Sequence, residues 1–275
     1  LIRKYCAMSA YKKCHIYFLQ SIMNKTILSE SECQQIRQES YQVSEVTPEG
    51  NLLDFLQVIN DQLHPFHFKI RQSKREDTGE TVYVLISLVD NDLNRLVVGG
   101  DFARAELEYF KKILEIIIVM SDTQNVGTAS SIDILNLADS CSPRMSKTEA
   151  KRLLTRFVDE RWFYDNEGII SLSPRCILEL EQYLSQCFDS FVSVCTMCSN
   201  TVFQAQVCSN CSARMHHHCA RTYSKRKTTS LKCLSCNHPF PHLQSEDNGV
   251  TGESTSFHTE NTSESSRKKK RTHAH

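Results

Sequence analysis

Between Cys195 and Cys236 the chain reads C-x2-C-x9-C-x2-C-x4-H-x2-C-x13-C-x2-C, seven cysteines and a histidine in four closely spaced pairs. Pairs at this spacing can reach a single tetrahedral ion, so eight such ligands make two zinc sites. A disulfide framework is the structural rival, but seven thiols are an odd number and C-x2-C suits thiolate ligation of one ion. Iron–sulfur ligation fits less well, because a histidine among close pairs is the mark of structural zinc. The remaining six cysteines, Cys6, Cys14, Cys33, Cys141, Cys176 and Cys187, are scattered singly, as unpaired thiols are in a reducing compartment. Spacing alone admits consecutive or interleaved sharing of the pairs. In about 42 residues with few apolar side chains, interleaving ties the ends together and substitutes metal for hydrophobic burial. Among three consecutive histidines, His216 leaves two residues before Cys219, the same reach as the other pairs, and is the favoured ligand.

The chain has 275 residues with 32 basic and 32 acidic side chains, which excludes a surface that is electropositive throughout. Polyanion contact, if made, is local. Arg214, Arg221, Lys225, Arg226, Lys227 and Lys232 lie in the cysteine-rich stretch without any Asp or Glu. The negative charge of two zinc–thiolate clusters leaves a net of about +3 there. Lys225, Arg226 and Lys227 could touch nucleic acid or an acidic partner, although a solvated loop is the plainer reading. The longest apolar run, Ile116 to Met120, is far short of the roughly 20 residues a membrane span needs, so no membrane contact is expected. Residues before Met8 are expected to be a fragment end or gene-model extension without a role.

Two similar units precede the cysteine-rich module. In the first, Ile16, Leu19 and Met23 predict one helical stripe, and Ser29 caps a second helix through Ile36. Thr47 with Pro48 starts a third helix carrying Leu52, Phe55, Leu56, Ile59 and Leu63. An extended stretch from Phe66 to Arg71, a polar link at Asp77-Thr78-Gly79 and the β-branched run Thr81 to Leu88 then predict a hairpin. Three helices and a two-stranded hairpin make a winged helix. The order repeats: a helix from Asp101 with Phe102, Phe110, Ile113, Leu114 and Ile117 on its buried face; a short helix from Ile132 to Ala138; and a capping box at Ser146-Lys147-Thr148-Glu149 before Leu153, Leu154, Phe157 and Val158. A hairpin follows, Trp162–Tyr164 and Ile169–Leu172 around Asp165–Gly168, and Ser173-Pro174 starts a last helix with Ile177, Leu180, Leu184 and Phe188.

The third helix of the first unit carries no basic residue before its end, whereas the matching helix of the second carries Lys147, Lys151, Arg152 and Arg156. Glu149, Asp159 and Glu160 interleave with them, so protein contact or solvation is favoured over phosphate contact. Gly99-Gly100 reads as a linker, and the sequons at Asn24 and Asn261 are incidental in a reducing compartment. From about Leu243 the chain turns polar, as a disordered tail does, and ends in the basic block Arg267 to Arg271, compatible with nuclear import or loose nucleic-acid contact.

Several zinc modules share four cysteines, a histidine and three cysteines. A histone reader is disfavoured: Leu231 stands where such fingers place a Trp, and Phe203 and Tyr223 are too few for an aromatic cage. The RING reading makes the module a docking surface for a ubiquitin-conjugating enzyme, with Met197 and Leu234 as apolar contacts and no nucleophile of its own.

Phe18-Leu19-Gln20, Thr128-Ala129-Ser130-Ser131 before Ile134-Leu135-Asn136-Leu137, Cys195-Thr196-Met197-Cys198, Arg214-Met215-His216, Cys233-Leu234-Ser235-Cys236 and Pro241-His242 together resemble the non-SMC element 1 (Nse1) family of the Smc5–Smc6 complex. The likeness runs from about Met8 to His242. It implies a mainly α fold with small β-hairpins: tandem winged-helix domains followed by a two-zinc cross-brace variant RING domain. The corresponding domains are residues 8–95, 100–190 and 193–242, with the tail at 243–275. Carried over ligand by ligand, one Zn2+ takes Cys195, Cys198, His216 and Cys219, and the other takes Cys208, Cys211, Cys233 and Cys236. The implied partners are a MAGE-type Nse3 subunit, a kleisin-type Nse4 subunit, the Smc5–Smc6 complex and a ubiquitin-conjugating enzyme. The implied setting is the nucleus, in chromosome maintenance and DNA repair, and the implied activity is that of a RING-type E3 ubiquitin ligase assisted by the MAGE partner. Leu234, where such ligases often carry Pro, and Asn237, where they often carry Arg, predict weak isolated activity. A non-catalytic zinc-braced subunit, or a DNA-binding adaptor using Lys151, Arg152, Arg156 and Lys225 to Lys227, is the alternative.

Overall fold

The computed structural model describes residues 11–89, 93, 102–119, 127–225 and 232–240. Residues before Met8, Gly99-Gly100, Asp101, Arg226, Lys227, Leu231, Pro241-His242 and the tail, all named above, lie outside the described residues.

The first unit begins with α1 (Lys13–Lys25), which buries Cys14, His15, Phe18 and Ile22. The expected stripe is rotated by about one residue: Ile16 and Met23 are 43% and 61% exposed. The reason is a buried polar side chain. His15 stacks on Phe55 at 4.4 Å and accepts the Lys12 N–H at 2.9 Å through Nδ1, so an apolar pattern does not see it. A short strand β1 (Ile27–Ser29) leads into α2 (Glu30–Ser44), where Ser29 and Glu32 form a reciprocal capping box. Helix α3 (Leu52–Leu63) starts later than Thr47-Pro48 suggested. Gly50 turns the chain at φ +62°, and Asn51 caps through the Asp54 N–H at 3.0 Å. Its buried face is Leu52, Phe55, Leu56, Ile59 and Leu63.

Strands β2 (Phe68–Lys74) and β3 (Thr81–Ser87) pair antiparallel, from Phe68 opposite Ser87 to Lys74 opposite Thr81. The sheet has three strands rather than two, because β1 adds to β3 with Ile27 opposite Val84. Three residues are too few to show a period of two. The second unit repeats this order with α4 (Arg104–Ile118), β4 (Thr128–Ser130), α5 (Ser131–Asn136), α6 (Lys147–Asp159), β5 (Phe163–Asn166) and β6 (Ile169–Leu172). Again the overlooked strand, β4, completes the sheet against β6. Phe102 is buried but precedes α4, whose N-cap is Ala103. Ser146 caps α6 by accepting the Glu149 N–H at 3.2 Å. The last expected helix is broken at Leu180 into α7 (Pro174–Glu179), capped by Ser173, and α8 (Glu181–Cys187).

Strand β3 serves both units. Tyr83 faces the first core, while Val82, Val84 and Ile86 form a second apolar face packed with Leu178 of α7. That double burial explains its near-continuous apolar run. The second core is aromatic: Phe102, Phe110, Phe157, Trp162 and Phe163 meet edge-on or tilted, with Phe110 at 5.2 Å from Phe157 and 5.5 Å from Trp162. Phe203, from the cysteine-rich module, joins this core with 2% of its surface exposed. Gly127 permits the approach, since a Cβ there would lie 2.5 Å from the Phe203 carbonyl.

Phe203→Ala should therefore destabilise the second unit as well as the module, by about 3–5 kcal/mol. Denaturant unfolding should show a clear fall in midpoint, and an unchanged midpoint would show that this ring carries no packing energy.

Candidate metal centre

Three of the four ligand pairs sit on the same backbone device. Strands β7 (Ser193–Val194) and β8 (Thr201–Val202) frame Cys195 and Cys198, and strands β9 (Ala205–Val207) and β10 (Arg214–His216) frame Cys208 and Cys211. In each turn the first cysteine's carbonyl accepts an N–H four residues on: Ser199 to Cys195 at 2.8 Å, Ser212 to Cys208 at 2.9 Å and Asn237 to Cys233 at 2.9 Å. Those three residues take left-handed φ values of 59°, 57° and 58°. This gives Asn237 a physical role, since Asn tolerates that conformation better than most side chains. The fourth pair lies at the start of α9 (His217–Lys225), with His216 ending β10 and Cys219 in the first helical turn.

The structure gathers Cys195, Cys198, His216 and Cys219 into one group and Cys208, Cys211, Cys233 and Cys236 into another, the ligand atoms of each within 4.8 Å of one another. The sharing is interleaved. Zinc–sulfur bonds of about 2.3 Å put two sulfurs of a tetrahedron about 3.8 Å apart, and sulfur and nitrogen about 3.5 Å apart. The Cys208–Cys236 and Cys211–Cys233 sulfurs are 3.7 and 3.6 Å apart. Nδ1 of His216 is 3.4 Å from the Cys198 sulfur and 3.9 Å from that of Cys219. Each group is thus capable of holding a Zn2+ ion, with His216 offering Nδ1.

Nε2 of His216 lies 3.1 Å from the Thr201 carbonyl and 3.4 Å from a carboxylate oxygen of Glu76. Nothing in the spacing pointed to Glu76, which stands far away in the turn between β2 and β3. His217 and His218 lie outside both groups, and burial lowers the pKa of each; His218 stacks on His216 at 4.9 Å.

The metal-free ligands divide: burial pushes Cys219 up and, against the Ala213 N–H, neighbouring thiols push Cys211 up to about 12, whereas Cys195 and Cys236 are lowered. Burial would raise Cys195, but backbone N–H groups of Cys198, His216 and Met197 hold it at about 7. The Asn210 side chain and the His238 N–H bring Cys236 down to about 6. Burial alone would lower His216; the Glu76 carboxylate and the Cys195 thiolate outweigh it and push the imidazole up to about 9. Cys14, Cys33, Cys141, Cys176 and Cys187 are free thiols, and burial pushes Cys33 up to about 12.

Met197 is half-buried against the module's small core, and Leu234 is 45% exposed. The basic candidates divide. Lys151 and Arg152 lie on the exposed face of α6, whereas Arg156 is bonded to Glu106 at 3.1 Å and Glu160 at 2.6 Å. Lys147 is paired with Asp139 at 2.8 Å, and Lys225 is exposed at the end of α9. No helix among the described residues is long and apolar enough to cross a membrane.

A family model described as the Nse1 non-SMC component of the SMC5-6 complex matches residues 15–180, more than half of the chain. The chain belongs to the Nse1 family. A RING-like domain model matches residues 195–236, the span of the two ligand groups. Curated Nse1 relatives, named non-structural maintenance of chromosomes element 1 homologues, include one from Xenopus laevis that is 35% identical over 244 residues, 88% of each protein. The human one is 34% identical over 230 residues, 83% of this chain and 84% of that protein. A fission-yeast relative, from Schizosaccharomyces pombe, is 23% identical over 228 residues, 82% of this chain and 91% of that protein. A solved chain from an Nse1-Nse3-Nse4 complex matches with a TM-score of 0.75 and 34% identity, covering 84% of this chain and 98% of that one.

Zinc must displace the thiol protons, so acid releases it. His216, Cys211 and Cys219 hold their protons above neutral pH and Cys195 and Cys236 take theirs up at about 7 and about 6, so retention against a fixed chelator should already fall as pH drops through about 9 and fall more steeply below about 7 and about 6. Retention independent of pH would contradict thiolate ligation.

Proposed function

We propose that the chain is the RING-type E3 ubiquitin ligase subunit of a Smc5–Smc6 complex, acting in the nucleus on chromosomes in DNA repair. The observation that supports it most is the pair of interleaved ligand groups, which sets Met197 in a ligand turn of one group and Leu234 in a ligand turn of the other. In this reading the module supplies no nucleophile. It binds a ubiquitin-conjugating enzyme and restricts the thioester so that an acceptor lysine attacks it, a gain of proximity and orientation. The two winged helices, proposed as residues 8–95 and 100–190, dock a MAGE-type Nse3 subunit and contact a kleisin-type Nse4 subunit, as the likeness to a chain of an Nse1-Nse3-Nse4 complex suggests. The RING-like part is proposed as 193–242 and the tail as 243–275, its basic block serving import.

Two observations favour a second reading, a zinc-braced structural subunit without ligase activity. Phe203 of the module is built into the core of the second unit, and Asn237 is committed to a turn rather than to ubiquitin contact. Direct DNA binding through Lys151, Arg152, Arg156, Lys225, Arg226 and Lys227 has less support, because Arg156 is already ion-paired.

Discharge of ubiquitin from a panel of conjugating enzymes, with and without a MAGE-type partner, separates these readings. The ligase reading expects stimulation that falls about tenfold or more in Met197→Asp and in Leu234→Asp, the equivalent of losing one buried apolar contact, while zinc stays at two per chain. Absence of stimulation by the unaltered chain in either state would leave the structural reading.

A further inference from the structure

In a winged helix the turn between the last two strands is the wing, and in the first unit it closes on itself through Arg75 N–H to the Glu80 carbonyl and Gly79 N–H to the Arg75 carbonyl, both 2.9 Å. This wing does not project freely. Its Glu76 is only 6% exposed, and its two carboxylate oxygens accept the Phe203 N–H at 2.8 Å and the Gln204 N–H at 3.1 Å. The oxygen that takes the Phe203 N–H also lies 3.4 Å from Nε2 of His216, whose other nitrogen faces the thiols. The rest of the wing is seated on the same surface. Arg221 donates to the Asp77 carbonyl at 2.9 Å, and Gly79 lies so close to His218 that a Cβ would stand 2.4 Å from the His218 Cβ. Arg75 turns away from Glu76, paired with Asp77 at 2.6 Å and stacked over Tyr164 of the second unit at 4.3 Å.

A buried carboxylate is costly unless its oxygens are bonded. Here the Phe203 and Gln204 N–H groups meet that need, and the His216 Nε2, bonded to the Thr201 carbonyl at 3.1 Å, lies beside the carboxylate at 3.4 Å; all of these belong to the cysteine-rich module. We infer that Glu76 is a positioning residue for the Cys195–Cys198–His216–Cys219 site: it orients the His216 ring and clamps the Phe203–Gln204 backbone, so that seating of the first unit's wing and zinc retention at this site are one coupled equilibrium. The all-cysteine site does not share this contact and is independent of it. Coupling of this kind is reciprocal, so the metal holds the wing as the wing holds the metal. Carboxylate partners of metal-bound histidines typically change metal affinity by about 10–100-fold.

The test uses the full chain loaded with two zinc ions and a colorimetric chelator. Glu76→Gln and Glu76→Ala should release one of the two ions about 10–100-fold more readily, the other at the unaltered rate. Glu80→Gln, an exposed neighbour in the same turn, should leave both unchanged. Cobalt substitution identifies the labile ion, because a site of three sulfurs and one nitrogen absorbs differently from an all-sulfur site. Folded Glu76 variants that release both ions at the unaltered rate would overturn the inference. Should the variants fail to fold, hydrogen exchange on the unaltered chain decides: withdrawing the labile ion should expose the Arg75 and Gly79 amides, and undiminished protection there would overturn it. None of these readouts depends on ligase activity.

Discussion

Everything described beyond Val192 depends on ligands that cross over one another. The first pair, in turn 195–198, is completed by the third, His216 with Cys219, and the second, in turn 208–211, by the fourth, Cys233 with Cys236. The module's own core amounts to Val202, Ala205, Met215, Ala220 and Phe240 around the cysteines. So small a core stabilises little, and metal ligation takes over the work that hydrophobic burial does in a larger domain. The consequence is a surface whose every feature, including the turns carrying Met197 and Leu234, presupposes bound metal.

The module is not an appendage. Phe203 is shared with the aromatic core of the second unit, and Glu76 brings the first unit to the same two residues, Phe203 and Gln204. Strand β3 meanwhile offers one face to its own helices and the other to Leu178. By their contacts the described residues form one compact unit. A wing used in this way is withdrawn from nucleic acid, and a third helix without basic residues adds nothing to replace it.

Local chemistry was legible in the sequence and long-range chemistry was not. Chelation imposes fixed spacing, so the two ligand groups could be anticipated, although spacing did not decide how they share their ions. Apolar periodicity located α3, because its buried residues are all apolar. It misplaced the face of α1, where a buried histidine breaks the pattern and two apolar residues lie exposed. Thr47-Pro48 carries a strong start signal, but the cap at Asn51 bonds back to the chain and wins. Strands β1 and β4 are three residues each, shorter than any periodicity can register, and the break at Leu180 leaves no Gly or Pro to mark it. Glu76 was invisible for a different reason: its partners are more than a hundred residues away, and only the fold makes a glutamate in a polar turn into a neighbour of a metal ligand.

Two zinc ions, bound by interleaved thiolate and imidazole ligands, hold this module in shape. Metal analysis with zinc-edge X-ray absorption on the reduced, purified chain tests this most directly. The account predicts two zinc ions per chain, with seven sulfur neighbours and one nitrogen neighbour between them at distances of about 2.3 and 2.0 Å. A chain carrying no zinc, or a module whose fold survives removal of the metal unchanged, would contradict it.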